Sequence, residues 1–166
     1  MLIELSMPEL EICRLLGVMR RCTASGNVQD KQMGKQDPFE IDIDGVIAEY
    51  CVAKALNLCP DLTVSIRKGG SDLVNYLKRT IDVKSTRYQS GKLLATLKKE
   101  DHPCDMYVLA IVNDKGAKIA GWTTKEELFN VLLQTFETSL INNMNNENKY
   151  IGLVTGILQT LNYDQK

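Results

Sequence analysis

Between Thr80 and Ser85 the chain reads Thr-Ile-Asp-Val-Lys-Ser, a strict alternation of apolar and charged residues. Side chains of a strand change face at every residue, so a strand puts Ile81 and Val83 on one face and Asp82 and Lys84 on the other. The apolar pair can enter a core while a carboxylate and an ammonium stand side by side, about 6.6 Å apart at the backbone. A structural salt-bridge ladder satisfies the same pattern. What lies beside this strand therefore decides its meaning.

Strands are expected at 62–66, 72–76, 80–86, 106–113 and 118–122, the last two joined as a hairpin by Asp114-Lys115-Gly116. Ser6-Met7-Pro8-Glu9 reads as a capping box, and Leu10, Cys13, Leu16 and Gly17 recur at helical spacing, which predicts a helix over 8–22. Residues 23–38 read as a long loop. Asp42-Ile43-Asp44 reads as a strand-like approach, with Asp44 capping a helix over 45–57 that ends before Pro60. Thr123 or Thr124 with Glu126 or Glu127 opens another helix over 125–136. Five asparagines between Asn142 and Asn148 mark a connector, and Tyr150 to Leu161 suits helix or strand equally. The expected fold class is α/β (α+β), a mixed central β-sheet flanked by helices in one domain, 1–166. Its core spans about 44–122 and its C-terminal extension 123–166.

At 166 residues the chain can build one hydrophobic core and not two comfortable ones. No apolar run nears the roughly 20 residues of a membrane-spanning helix, and the N-terminus carries acid where a signal peptide carries base. A cytoplasmic protein without a membrane partner is expected; for a phage-encoded chain that cytoplasm is the bacterial host's. The five cysteines (Cys13, Cys22, Cys51, Cys59, Cys104) form no Cys-x-x-Cys pair, and one histidine, His102, cannot complete a zinc site. They read as free buried thiols.

Net charge is −1, but its distribution is uneven. From Arg67 to Lys99 there are nine bases and two acids, a net +7 that leaves −8 for the remainder. Either this is a solvated basic face, or it is a surface for phosphates, and in that case two isolated acids sit inside it.

Those acids are Asp72 and Asp82. Asp72 follows Lys68-Gly69-Gly70-Ser71, which lets the chain turn tightly before a short strand. Its separation from Asp82 suits a hairpin, although the turn Asn75 to Arg79 has no Asn-Gly signal. Two clustered carboxylates repel unless a cation lies between them, and hard oxygen ligands suit Mg²⁺ or Mn²⁺. Glu49 is the third acid. Its helical neighbours Gly45, Val46, Val52 and Ala53 are small or apolar, so its burial needs a metal, a base or a backbone amide to offset the desolvation.

Taken together, Gly45-Val-Ile-Ala-Glu49, then Gly69-Gly70-Ser71-Asp72, then Ile81-Asp82-Val83-Lys84, resemble the core of the PD-(D/E)XK nuclease superfamily. That superfamily includes type II restriction enzymes, archaeal junction resolvases and lambda exonuclease, and the look is most like its small bacteriophage and prophage members. Ser71 stands where the motif has Pro. The resemblance covers about residues 44–122 and implies a restriction-endonuclease-like fold. It further implies an Mg²⁺-dependent phosphodiesterase acting on nucleic acid, with DNA expected. The implied catalytic residues are Glu49, Asp72, Asp82 and Lys84, with Glu49, Asp72, Asp82 and the Val83 carbonyl as metal ligands. Arg67, Lys68, Lys78, Arg79, Arg87 and Lys92 are the expected phosphate contacts. Oligomeric state stays open. The alternatives are a non-catalytic nuclease-fold module that binds nucleic acid or protein, and a phage structural protein.

Overall fold

A computed structural model describes residues 1–24, 36–64, 71–95, 103–130 and 151–152. Two helices, α1 (Met7–Ala24) and α2 (Pro38–Ala55), lie against a mixed sheet. Its strands are β1 (Leu2–Glu4), β2 (Leu73–Val74), β3 (Thr80–Thr86), β5 (Met106–Asn113) and β6 (Gly116–Thr124), in the order β1-β6-β5-β3-β2. Only β3 and β5 run parallel; the other neighbours are antiparallel. The short strands β4 (Leu94–Ala95) and β7 (Ile151–Gly152) pair separately. No helix among the described residues is long and apolar enough to cross a membrane.

Alternation in β3 sends Ile81 and Val83 into a core with Leu10, Cys13 and Leu16 of α1 and Val46, Ile47, Cys51 and Val52 of α2. From β5, Val108, Ala110 and Val112 join the same face. Tyr107, Leu109 and Ile111 are buried as well, so β5 is covered on both faces, which is why it reads as an unbroken apolar run. Both strands end where the sequence places them, at Thr80–Thr86 and Met106–Asn113.

Elsewhere local pattern yields to tertiary contacts. The helix expected over 45–57 begins at Pro38, seven residues earlier, with Asp37 as N-cap accepting from the Phe39 N–H at 2.9 Å. Asp44 is therefore no cap, and Asp42-Ile43-Asp44 is no strand-like approach. The loop expected over 23–38 is helical at residues 23–24, and residues 25–35 lie outside the description. The strand expected over 62–66 is absent through Val64. Arg20 of α1 instead donates to the Asp61 and Thr63 carbonyls at 2.7 and 3.0 Å, and the Thr23 hydroxyl donates to that of Val64. β1 has no counterpart among the expected strands; three residues give too short a pattern to read.

Thr124–Glu127 forms a full capping box and Ser6–Glu9 half of one, the Ser6 hydroxyl donating to the Glu9 carboxylate at 2.9 Å. The Ser6 N–H donates to Glu9 at 2.6 Å, while Thr124 and Glu127 exchange hydrogen bonds at 3.1 and 3.2 Å and open a helix described over residues 125–130. The hairpin after Asn113 turns at Asp114-Lys115 into Gly116, whose φ of 148° suits only glycine. All five cysteines are free; Cys13, Cys51 and Cys104 are buried, but Cys22 and Cys59 are exposed, against the expectation of buried thiols. His102, the 142–148 connector and most of 150–161 fall outside the described residues.

Helices α1 and α2 meet at Gly17, where an added Cβ would stand 2.6 Å from the Ile43 Cα and 2.8 Å from its N. Those are backbone atoms, so relief requires the helices to part. Overpacking of this kind costs about 1–3 kcal/mol, and the better helix propensity of alanine returns up to about 1. Gly17→Ala should lose about 1–2 kcal/mol, read as a lower urea midpoint with an unchanged slope; an unchanged midpoint would show that the helices can separate freely.

Candidate active site

The hairpin of β2 and β3 carries the site. Leu73 pairs with Ile81 and Val74 with Thr80, and Asp72 lies just before this ladder, near enough to Asp82 to feel its charge. β2 is only two residues long because Asp72 leaves the ladder after its N–H donates to the Ile81 carbonyl. Its carboxylate Oδ2 then accepts the Val83 N–H at 2.7 Å, standing in for the backbone acceptor the strand no longer supplies.

The turn that brings the two aspartates together is built by a side chain. Asn75 Oδ1 accepts the Leu77 and Arg79 N–H groups at 2.9 and 3.0 Å, and the Asn75 carbonyl accepts that of Lys78 at 2.9 Å. Lys78 closes the turn in the left-handed region, at φ 61°. Asn75 is thus the hairpin signal that an Asn-Gly search misses.

Asp82 is 7% exposed, on the sheet face away from α2, and Lys84 stands beside it with its ammonium ion-paired to Asp82 Oδ2. That oxygen is nonetheless buried without a hydrogen bond. The ion pair satisfies its charge but not its hydrogen-bond geometry. On β5, Tyr107 pairs with Asp82 in register, and its buried hydroxyl also makes no hydrogen bond. Burial, then the nearby charges of Cys104 and Asp82, push the Tyr107 hydroxyl pKa upward.

Glu49 approaches from the helix layer. It is held by Arg20, whose Nη1 donates to Glu49 Oε2 at 2.8 Å, with both side chains largely buried. The compensation that its apolar surroundings demand thus comes from a base. Its charge still reaches the site: burial first, then Glu49 and Asp82, push the Asp72 carboxyl up to about 7, against the lowering effects of the Val83 N–H and Lys84. Asp72 therefore sits where negative potential from the helix and from β3 converges. Among the described residues, no three of His, Cys, Asp and Glu stand close enough to hold a metal ion together. The acids share a field, with Glu49 drawn toward Arg20.

The expected phosphate contacts divide. Lys78, Arg79 and Lys92 are exposed or partly so, while Arg67 and Lys68 lie outside the described residues, as do Lys98 and Lys99. Arg87 has another task. Its guanidinium grips the buried Asp44 carboxylate through two bonds of 2.6 and 2.8 Å and reaches Glu40 at 3.3 Å. It ties the end of β3 to α2.

No protein-family model, no curated protein and no solved structure matches this chain.

Proposed function

We propose that the protein is a metal-dependent nuclease that hydrolyses phosphodiester bonds, with DNA as the expected substrate and Glu49, Asp72, Asp82 and Lys84 as its active site. The observation that carries this reading is the clustering of buried carboxylates at the β2–β3 hairpin: Asp72, held on the Val83 N–H, feels the charges of Glu49 and Asp82, and Lys84 is ion-paired to Asp82. Clustered carboxylates of this kind fit a hard divalent cation, Mg²⁺ or Mn²⁺. Asp72, Asp82 and the Val83 carbonyl would hold it, with Glu49 contributing from its place on Arg20. When bound, such an ion lowers the pKa of a coordinated water and neutralises charge on the phosphoryl oxygens. Lys84 orients the attacking water or stabilises the developing charge, being the cation fixed next to the carboxylates. Arg20 sets where Glu49 stands.

The ion pair between Arg20 and Glu49 also favours a second reading: the same fold as a non-catalytic module that binds nucleic acid or protein. Incubation with supercoiled and circular single-stranded DNA in Mg²⁺, in Mn²⁺ and in excess chelator separates the two. Cleavage is expected in either metal and none in chelator. Undiminished cleavage in chelator would overturn the metal mechanism, and binding without cleavage in any metal would select the module.

A further inference from the structure

The β2–β3 hairpin ends in a tip that packing does not explain. Tyr76 is 84% and Leu77 63% exposed, and Val74, on the Asp72 face of β2, is 54% exposed. Two bases, Lys78 and Arg79, follow immediately. An aromatic ring and a leucine side by side in water, next to two bases, suit a ligand with both flat apolar and anionic parts. The tip is also stiff. Asn75 ties both flanks of the turn, and Lys78 is kept at a φ of 61°, where glycine would be less strained. A rigid apolar pair loses little conformational freedom when something packs on it.

The tip has a fixed relation to the carboxylates. Asp72 and Tyr76 are four residues apart, so at about 3.3 Å per residue their backbones are at most about 13 Å apart. Even stacked nucleotides rise about 3.4 Å each along a strand, and unstacked ones span more. A strand with its phosphate at Asp72 would meet the tip at most about four nucleotides away.

We infer that Tyr76 and Leu77 form a base-stacking tip, flanked by the phosphate-binding Lys78 and Arg79, and that the substrate accordingly presents unpaired bases near the cleaved bond. This rests on the nuclease reading and names the substrate class within it: single strands, flaps or frayed ends in preference to intact duplex. The chemistry favours that class because a duplex turns phosphates and base edges outward, whereas base faces are available to an aromatic ring only where pairing and stacking are broken. Lysine and arginine at the tip would suffice for phosphates alone, and the tyrosine and leucine would then have no role.

The test compares binding of a fluorescein-labelled single-stranded oligonucleotide and of its duplex, both in Ca²⁺, by wild type and by Tyr76→Ala/Leu77→Ala. Thermal melting of the variant checks that the hairpin persists; Tyr76→Phe, which keeps the ring, serves as the conservative control. The double variant should bind the single strand roughly tenfold more weakly and the duplex nearly as before, with Tyr76→Phe close to wild type. Equal losses on both forms, no loss on either, or no binding by wild type would overturn the inference. So would an altered elution volume with unchanged oligonucleotide binding, which would make the tip a protein contact. Cleavage assays on the same proteins keep the two ideas apart. A variant that cleaves with wild-type strand preference sinks the tip and spares the nuclease. Loss of single-strand binding in a protein that cleaves nothing in any metal does the reverse.

Discussion

Asp82→Asn and Lys84→Ala should each lower the rate of DNA cleavage by a hundredfold or more while leaving the protein folded. Loss of one preorganised charge-stabilising group typically costs two to three orders of magnitude in turnover, which sets the floor for Lys84. Asp82 stands to lose at least as much, because its removal takes one of the clustered carboxylates. The two variants part company in stability. Asp82→Asn relieves repulsion against Asp72 while giving up the ion pair with Lys84, so the metal-free protein should melt close to wild type. Lys84→Ala removes the cation paired with Asp82 and should lower its melting temperature. Single-turnover cleavage with saturating Mg²⁺, together with melts in chelator, reads both. Two variants that cleave at the wild-type rate would remove β3 from the chemistry.

How far the chain can be read without coordinates depends on what fixes each element. Thr80–Thr86 and Met106–Asn113 are legible because their apolar residues follow the core: Ile81 and Val83 alternate with charged residues, and β5 is an apolar run covered on both faces. The start of α2 is not. Phe39-Glu40-Ile41-Asp42-Ile43-Asp44 alternates like a strand, yet its acids are distributed for partners on other elements, Glu40 and Asp44 to Arg87 and Asp42 to Arg21. Those partners lie far along the chain or on another helix, and no window of local sequence contains them. Glu49 is an intermediate case. Its apolar neighbours announce that its charge must be offset, but whether by metal or by base is decided by Arg20, 29 residues away on α1. A hairpin between Asp72 and Asp82 is suggested by their spacing, whereas the device that turns the chain there is the Asn75 side chain, which accepts the Leu77 and Arg79 N–H groups.

Arg87 carries the second large effect, and it is one of stability. Arg87→Ala leaves the Asp44 carboxylate buried on α2 without the guanidinium that now holds both its oxygens. Breaking a fully buried pair from one side costs about 3–5 kcal/mol, because the surviving charge keeps its desolvation cost. Arg87 itself is partly exposed, so water will screen part of that loss, and about 2 kcal/mol is the expected net. For a chain of this size each kcal/mol moves the melting temperature by about 2–4 °C, giving a drop of about 4–8 °C. Replacing both partners with apolar residues, Arg87→Met with Asp44→Leu, should recover most of it, since a buried pair exchanged for well-packed apolar groups is often close to neutral. DNA binding gives the complementary reading. Each base that neutralises a duplex phosphate adds about 0.9 to the slope of log affinity against log salt, and its removal takes that increment away. Arg87→Ala should leave the slope where it is, while Lys78→Met at the hairpin tip should reduce it. A salt slope reduced by Arg87→Ala, with the melting temperature unmoved, would return this arginine to the phosphates and leave Asp44 to find its compensation elsewhere.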